Sequence, residues 1–192
     1  MDFLQVAHQV WFTVDFMGEL FETFDDNGNF TGLVERALVH SLGLWHKSAS
    51  VFLFNVNCEL YIQRRAPDKD LYAGQWDYSV GEHLKPGESY ADGALRGLLE
   101  ELGIRMVELS TLGPQRKSCW EIPEQNLHDC EMQQAYRGIY NGPINADPVE
   151  VAEVRTVSLP TLATWLATKP SCFTPWFQRD LNELGILLRP SC

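Results

Sequence analysis

At 192 residues with 45% hydrophobic side chains, the chain suits one domain, or one domain with a terminal extension, and can bury a substantial core. Its 26 Asp and Glu against 15 Lys and Arg give a net charge of −11, and it lacks the basic stripe expected of a non-specific nucleic-acid binder. No apolar run approaches the roughly 20 residues of a membrane helix, and the opening Met1-Asp2-Phe3-Leu4-Gln5 lacks the basic segment of a secretory signal, so a reduced, cytoplasmic setting is expected.

Residues 1–20 mix aromatics with Gln5, His8, Gln9 and Asp15, a pattern that leaves strand and helix both open. They read as an N-terminal extension that packs on the domain, taken as 21–192, or on a second subunit, which would make the protein a homodimer. Phe21 to Phe24 followed by Asp25-Asp26-Asn27-Gly28-Asn29 reads as a strand entering a tight hairpin, with Asn27-Gly28 at positive φ. Two strand-like runs, Ala49 to Val56 and Glu59 to Gln63, flank Asn57-Cys58, and a loop from Ala66 to Asp70 precedes a short run from Trp76 to Val80. Residues 89–102 read as a helix, with Ser89 and Asp92 forming a capping box and Gly103 as the stop. Further strands are expected near 104–113, 131–140 and 151–157. A helix follows Ser158, with Leu159, Leu162 and Leu166 on one face, and another covers about 175–187. With no repeat or linker, one α/β domain is the simplest account. Five cysteines, Cys58, Cys119, Cys130, Cys172 and Cys192, are scattered without a CxxC pair, which argues against a disulfide framework or a structural zinc site.

The segment that carries chemistry runs from Gly87-Glu88-Ser89 to Arg96-Gly97-Leu98-Leu99-Glu100-Glu101-Leu102-Gly103-Ile104. Glu100 and Glu101 fall on the last helical turn, where the macrodipole disfavours negative charge, and this points to a cation nearby. Arg96 stands four residues before Glu100 and pairs with it across one turn. Hard oxygen donors grouped in this way suit Mg²⁺, with Mn²⁺ as the alternative. Taken alone, the same residues also fit a solvated acidic helix end.

The pattern resembles the Nudix box: Glu88, Arg96, Glu100, Glu101 and Gly103 fall at the family spacing, with aliphatic Leu98 and Ile104 in place. The similarity extends to His40 through Val56, Gln63-Arg64-Arg65-Ala66-Pro67-Asp68-Lys69, Gly74-Gln75-Trp76 and Phe173-Thr174-Pro175-Trp176. These segments look like the isopentenyl-diphosphate isomerase branch and its hydrolase relatives. The resemblance covers roughly residues 20–180 and implies the Nudix α/β/α sandwich with a mixed sheet. Two positions depart from the box. Gly97 replaces the glutamate that follows the arginine, at a helix-propensity cost of about 1 kcal/mol relative to Ala, and Glu82 replaces the opening glycine. One reading has Glu82 reaching the metal site through the space left by Gly97; the other leaves Glu82 as a surface residue.

From the resemblance, Glu100, Glu101, Glu82 and His83 are candidate metal ligands. His40 and His46 join them only if one tolerates a spacing one residue shorter than the branch pattern. Asp129 and Glu131 resemble a Glu-x-Glu pair in the same branch, and on a strand they would share a face. Glu101, Glu131, Asp129 and Glu82 are therefore the candidate catalytic carboxylates. An anionic ligand is repelled by the overall field, so its phosphates need Arg36, Arg65 and Lys69, with Trp76 and Trp120 as pocket walls. The expected activity is metal-dependent hydrolysis of a small-molecule diphosphate, such as a nucleoside diphosphate derivative. The alternative is a domain that binds such a ligand without turnover. Isomerase activity is least expected, because the branch's catalytic cysteine falls where this chain has Gly81.

Overall fold

Two strands buried on both faces form the spine of the fold. His46–Phe54 (β3) is buried at all but one position, and Leu127–Ile139 (β9) runs parallel beside it, from His46 opposite Glu131 to Phe54 opposite Ile139. Both strands mix apolar residues with buried polar ones, Ser48 and Ser50 on β3 and Gln133 and Gln134 on β9. The computed structural model describes residues 18–122 and 127–188. Residues 1–17 of the expected extension lie outside the described residues, as does Cys192.

In chain order the elements begin with strands Leu20–Phe24 (β1) and Phe30–Glu35 (β2), then helix Arg36–Leu42 (α1) and β3. Strands Glu59–Arg65 (β4), Trp76–Asp77 (β5) and Val80–His83 (β6) lead to helix Tyr90–Leu102 (α2). Strands Leu109–Thr111 (β7) and Arg116–Ile122 (β8) precede β9. Strand Val151–Ser158 (β10) and helices Leu159–Thr168 (α3) and Pro175–Glu183 (α4) complete the described chain. The main sheet runs β10-β4-β3-β9-β7, with β5 on β4, β6 on β3 and β8 on β9; β1 and β2 form a separate hairpin joined to the sheet by the Phe24–Trp45 bridge.

Alternation along β3 feeds two cores. Ala49, Val51 and Leu53 face α2, where Ala94, Leu98 and Leu102 are fully buried. Phe52 and Phe54 face α3 and α4 through Leu162, Phe177 and Leu181. The result is the expected α/β/α sandwich on a mixed sheet. The Ser89 hydroxyl caps α2 by accepting from the Asp92 N–H, and Gly103 closes it at φ 68°. Ser158 caps α3 in the same way.

Sequence patterning missed α1, β2 and β8. The last two are edge strands whose alternation carries no apolar stripe. In the β1–β2 turn only Gly28 takes positive φ, and Asp25 accepts from the N–H groups of Asn27 and Asn29 instead of a two-residue hairpin forming. The cysteine expectation is also corrected. Cys119 and Cys130 are direct cross-strand partners on β8 and β9 and form a disulfide. Their sequence separation of 11 residues concealed an adjacency that only the hairpin creates.

Candidate active site

The box helix supplies the first half of the site. Arg96 forms a two-pronged contact with Glu88, from Nε to Oε1 at 2.7 Å and from Nη2 to Oε2 at 2.9 Å, and Nη2 also donates to the His83 carbonyl at 2.8 Å. Its Nη1 reaches Glu100 at 3.0 Å and Glu82 at 3.2 Å. Arg96 thus ties loop, strand and helix together, and its hydrogen bonds hold the Glu88 carboxyl below its usual range. Glu88 and Arg96 brace the site. Glu100 keeps a half-exposed side chain and is shared between Arg96 and Lys85.

Glu101 is 7% exposed and accepts from Gln63 Nε2 at 2.7 Å. Burial, with nearby Glu82 and Glu150 adding to it and Gln63 opposing it, pushes its carboxyl up to about 8. Burial also raises Glu82 against the pull of Arg96. A Cβ placed on Gly97 would stand 3.1 Å from Glu82 Cβ and 3.3 Å from Glu82 Oε2. Glu82 therefore occupies the ground that a side chain at 97 would take.

The second half is a cluster of imidazoles at the start of β3. His40 comes from α1, His46 from β3, His83 from β6 and Asp129 from β9, with one potential donor atom from each lying within 4.8 Å of the others. The short His40–His46 spacing does no harm, because α1 ends at Gly43 in the left-handed conformation and the chain turns sharply into β3. Asp129 Oδ1 stands 3.4 Å from His46 Nε2 and 3.6 Å from His40 Nε2, and Glu131 Oε1 lies 3.4 Å from His83 Nε2. His46 Nδ1 faces the Leu44 carbonyl at 3.0 Å, which orients Nε2 into the cluster in the manner of a backbone-anchored ligand. The Phe21 ring stacks on His46 at 5.2 Å and backs the group.

Three atoms of this cluster, His40 Nε2, His46 Nε2 and Asp129 Oδ1, are buried without a hydrogen-bond partner. Orphaned buried polar atoms are rare and costly. Three that converge on each other fit a shared divalent cation. The protonation states agree: burial, together with His83, drives His40 down to about 3, and burial, together with His46 and Arg36, holds His83 well below its usual value. Neutral imidazole is the ligand form. His46 alone is raised, because Asp129, Glu131 and the Leu44 carbonyl outweigh its burial. Imidazole ligands suit Zn²⁺ and carboxylates suit Mg²⁺ or Mn²⁺, so this mixed set fits Mn²⁺ or Zn²⁺.

Both halves open into one cleft of about 630 Å³. Its cations are Arg36, Arg65 and Lys69, with Lys85 and Arg96 paired to the box carboxylates. Arg65 is held by the Leu71 carbonyl at 3.0 Å, by Asp77 at 3.5 Å and by the face of Trp176 at 5.4 Å. Asp77, 1% exposed, also accepts from Thr174 Oγ1 and Trp176 Nε1 and is raised by burial. Lys69 pairs with Glu150. Trp76 does not line the cleft. It packs edge-on against Trp165 in the core, and Trp176 is the tryptophan of the wall. Trp120 lies under Arg179 at 4.9 Å, also away from the cleft lining. Asp77 and Tyr78 escaped the sequence reading, and Gln63 and Trp176 entered it without a role in the site; Gln63 and Asp77 are brought together only by β4–β5 register.

A model of the NUDIX domain matches residues 44–177. An isopentenyl-diphosphate Delta-isomerase of Burkholderia multivorans is 31% identical over 156 residues, covering 81% of this chain and 86% of that protein. An uncharacterised Nudix hydrolase of Pseudomonas aeruginosa is 33% identical over 139 residues, covering 72% and 78%. The fold is shared with a crystal structure from Deinococcus radiodurans at TM-score 0.68 and 21% identity, covering 89% of this chain and all of that one. The apolar core, the capped acidic helix and these matches lead to one statement: the chain belongs to the Nudix family.

Proposed function

We propose that this protein is a Nudix-type hydrolase that cleaves a diphosphate linkage in a small organic molecule with the help of divalent cations. The observation that carries the reading is the union in one cleft of three features: an imidazole–carboxylate cluster with unsatisfied donor atoms, a buried carboxylate of raised pKa, and a wall of Arg and Lys. His40, His46, His83 and Asp129, with Glu131 beside them, would hold one cation; Glu101 and Glu82 face the same cleft and would hold a second, Mg²⁺-like ion. Such cations, when bound, neutralise phosphate charge and make water a better nucleophile.

The chain's own groups do the rest. Arg65 and Lys69, with Arg36 across the cleft, counter the molecule's net charge of −11 locally and orient the phosphates. Arg65 arrives pre-positioned by Asp77 and Trp176, so little entropy is lost when it binds. A carboxylate with a pKa near neutrality suits proton transfer, and Glu101 has that character, with Glu131 as the second candidate. A binding domain without turnover is the other reading, and it is favoured by the capture of Glu82, Glu88 and Glu100 by Arg96. Isomerisation shares the imidazole–carboxylate cluster but lacks the cysteine of the isomerase branch. Position 81 brings no side chain to the cleft, and a Cβ there would sit 2.3 Å from the Tyr78 ring.

The test is incubation with a panel of nucleoside diphosphates, sugar nucleotides and prenyl diphosphates, with Mg²⁺ or Mn²⁺, followed by phosphate detection. Release that is abolished in Glu101→Gln and weakened in Arg65→Ala supports hydrolysis. Saturable binding without release selects the non-catalytic reading.

A further inference from the structure

Strand β9 outruns its partner on one side. Its pairing with β3 begins at His46 opposite Glu131, so among the described residues the ladder of Leu127 to Cys130 runs to β8 alone. Asp129, the carboxylate of the imidazole cluster, lies in that stretch opposite Trp120. β8 is a weak support. It is an edge strand with no buried residue. Its inner end is anchored by Arg116 on Asp180 at 2.8 Å and Lys117 on the Asp26 carbonyl at 2.7 Å, and its outer end lies under the Arg179 guanidinium, 4.9 Å above Trp120. Edge segments with little buried apolar area open first. The Cys119–Cys130 bridge pins this end, one residue from Asp129. On its other side, a Cβ on Gly43, the left-handed residue that ends α1, would stand 3.9 Å from Cys130 Sγ and 3.1 Å from His128 Cβ. The turn between His40 and His46 is therefore packed against the same sulfur.

We propose that the Cys119–Cys130 bridge is a redox-controlled positioning element for Asp129, so that the imidazole cluster binds its cation tightly when the bridge is closed and weakly when it is open. The inference rests on the metal-binding reading above and adds the regulation of that site. Cys119 is exposed and Cys130 is buried, so a small dithiol, or the dithiol of a redox protein, reaches the Cys119 sulfur first. Its thiolate attacks that sulfur, the S–S bond breaks, and Cys130 leaves as a thiolate that takes up a proton. The second thiol of the reductant then displaces Cys119. Two electrons and two protons have passed to the protein, and the dithiol has become a disulfide. The two thiol sulfurs no longer fit at bonding distance. Cys130 has the Gly43 turn beside it, so β8 is the element that yields, and Asp129 loses the strand that holds it. Glu131 stays paired to β3 opposite His46, so the site is loosened and not dismantled.

The experiment is calorimetric titration of the full chain with Mn²⁺, after oxidation with glutathione disulfide or reduction with dithiothreitol, each reagent being removed under anaerobic conditions. Oxidised wild type should bind Mn²⁺ about tenfold more tightly than reduced wild type. Cys119→Ser/Cys130→Ser should bind like the reduced protein in both conditions, which separates this bridge from the one that holds Cys58. In Asp129→Asn the ratio of oxidised to reduced affinity should fall to about one, whereas a bridge that only stabilised the fold would act there as well. Equal affinities for oxidised and reduced wild type, or an undiminished ratio in Asp129→Asn, overturns the redox control and leaves the metal reading intact. Absence of Mn²⁺ binding in both states overturns both.

Discussion

Gly97 and Glu82 share one volume. A Cβ on Gly97 would come within 3.3 Å of Glu82 Oε2 and within 2.6 Å of Val80 Cγ1. Strand β6 and helix α2 approach this closely only because position 97 has no side chain. Gly97→Ala should therefore destabilise the protein by about 1–3 kcal/mol through overpacking, even though alanine is the better helix former by about 1 kcal/mol. Urea denaturation measures the difference. A stabilised variant would show that Val80 and Glu82 yield freely and that the glycine is not required by packing.

The imidazole cluster should control tight metal binding. Replacing His46 by Ala, or Asp129 by Asn, is expected to weaken Mn²⁺ affinity by at least about 100-fold, because a buried site loses both a donor and its geometry. Glu100→Gln should have little effect, since that carboxylate is half exposed and held by Arg96 and Lys85. Equal Mn²⁺ isotherms for wild type and His46→Ala would remove the cluster as the metal site.

Glu101 sets a pH dependence in the metal-free protein. Its carboxyl sits at about 8 in the fold against an ordinary glutamate value of 4.5. The folded state therefore keeps a proton that the unfolded chain releases. The associated stability is complete below about 4.5 and is lost as pH rises through about 8. In EDTA, wild type should lose melting temperature across that window. Glu101→Gln should lose less and be the more stable protein at pH 8.5. Parallel pH profiles for the two would refute this assignment.

The Cys119–Cys130 bridge joins β8 to the strand that carries Asp129 and Glu131. Closing a loop of this length is worth about 2–3 kcal/mol on the chain-entropy account. Dithiothreitol should lower the denaturation midpoint of wild type by more than that of a Cys119→Ser/Cys130→Ser variant, in which Cys58 remains disulfide-bonded. Identical midpoints for wild type with and without reductant would show that the bridge carries no stability.

Much of the site was legible because the Nudix box is local. Glu88, Arg96, Glu100 and Glu101 lie within 14 residues on one loop and one helix, so their spacing alone fixes their relation, and Ser89 and Gly103 mark the helix ends by cap chemistry that needs no distant partner. What the tertiary structure decided depends on strand register and chain return. Asp77 finds Thr174 and Trp176, 97 and 99 residues away, and Trp76 turns inward while Trp176 takes the wall. Tyr78 lands on Gly81, and two cysteines 11 residues apart become neighbours across a hairpin. A one-residue change of register would reverse each of these faces. Helix periodicity and caps are therefore written along the chain, whereas contacts across the sheet are set by the packing that selects one register.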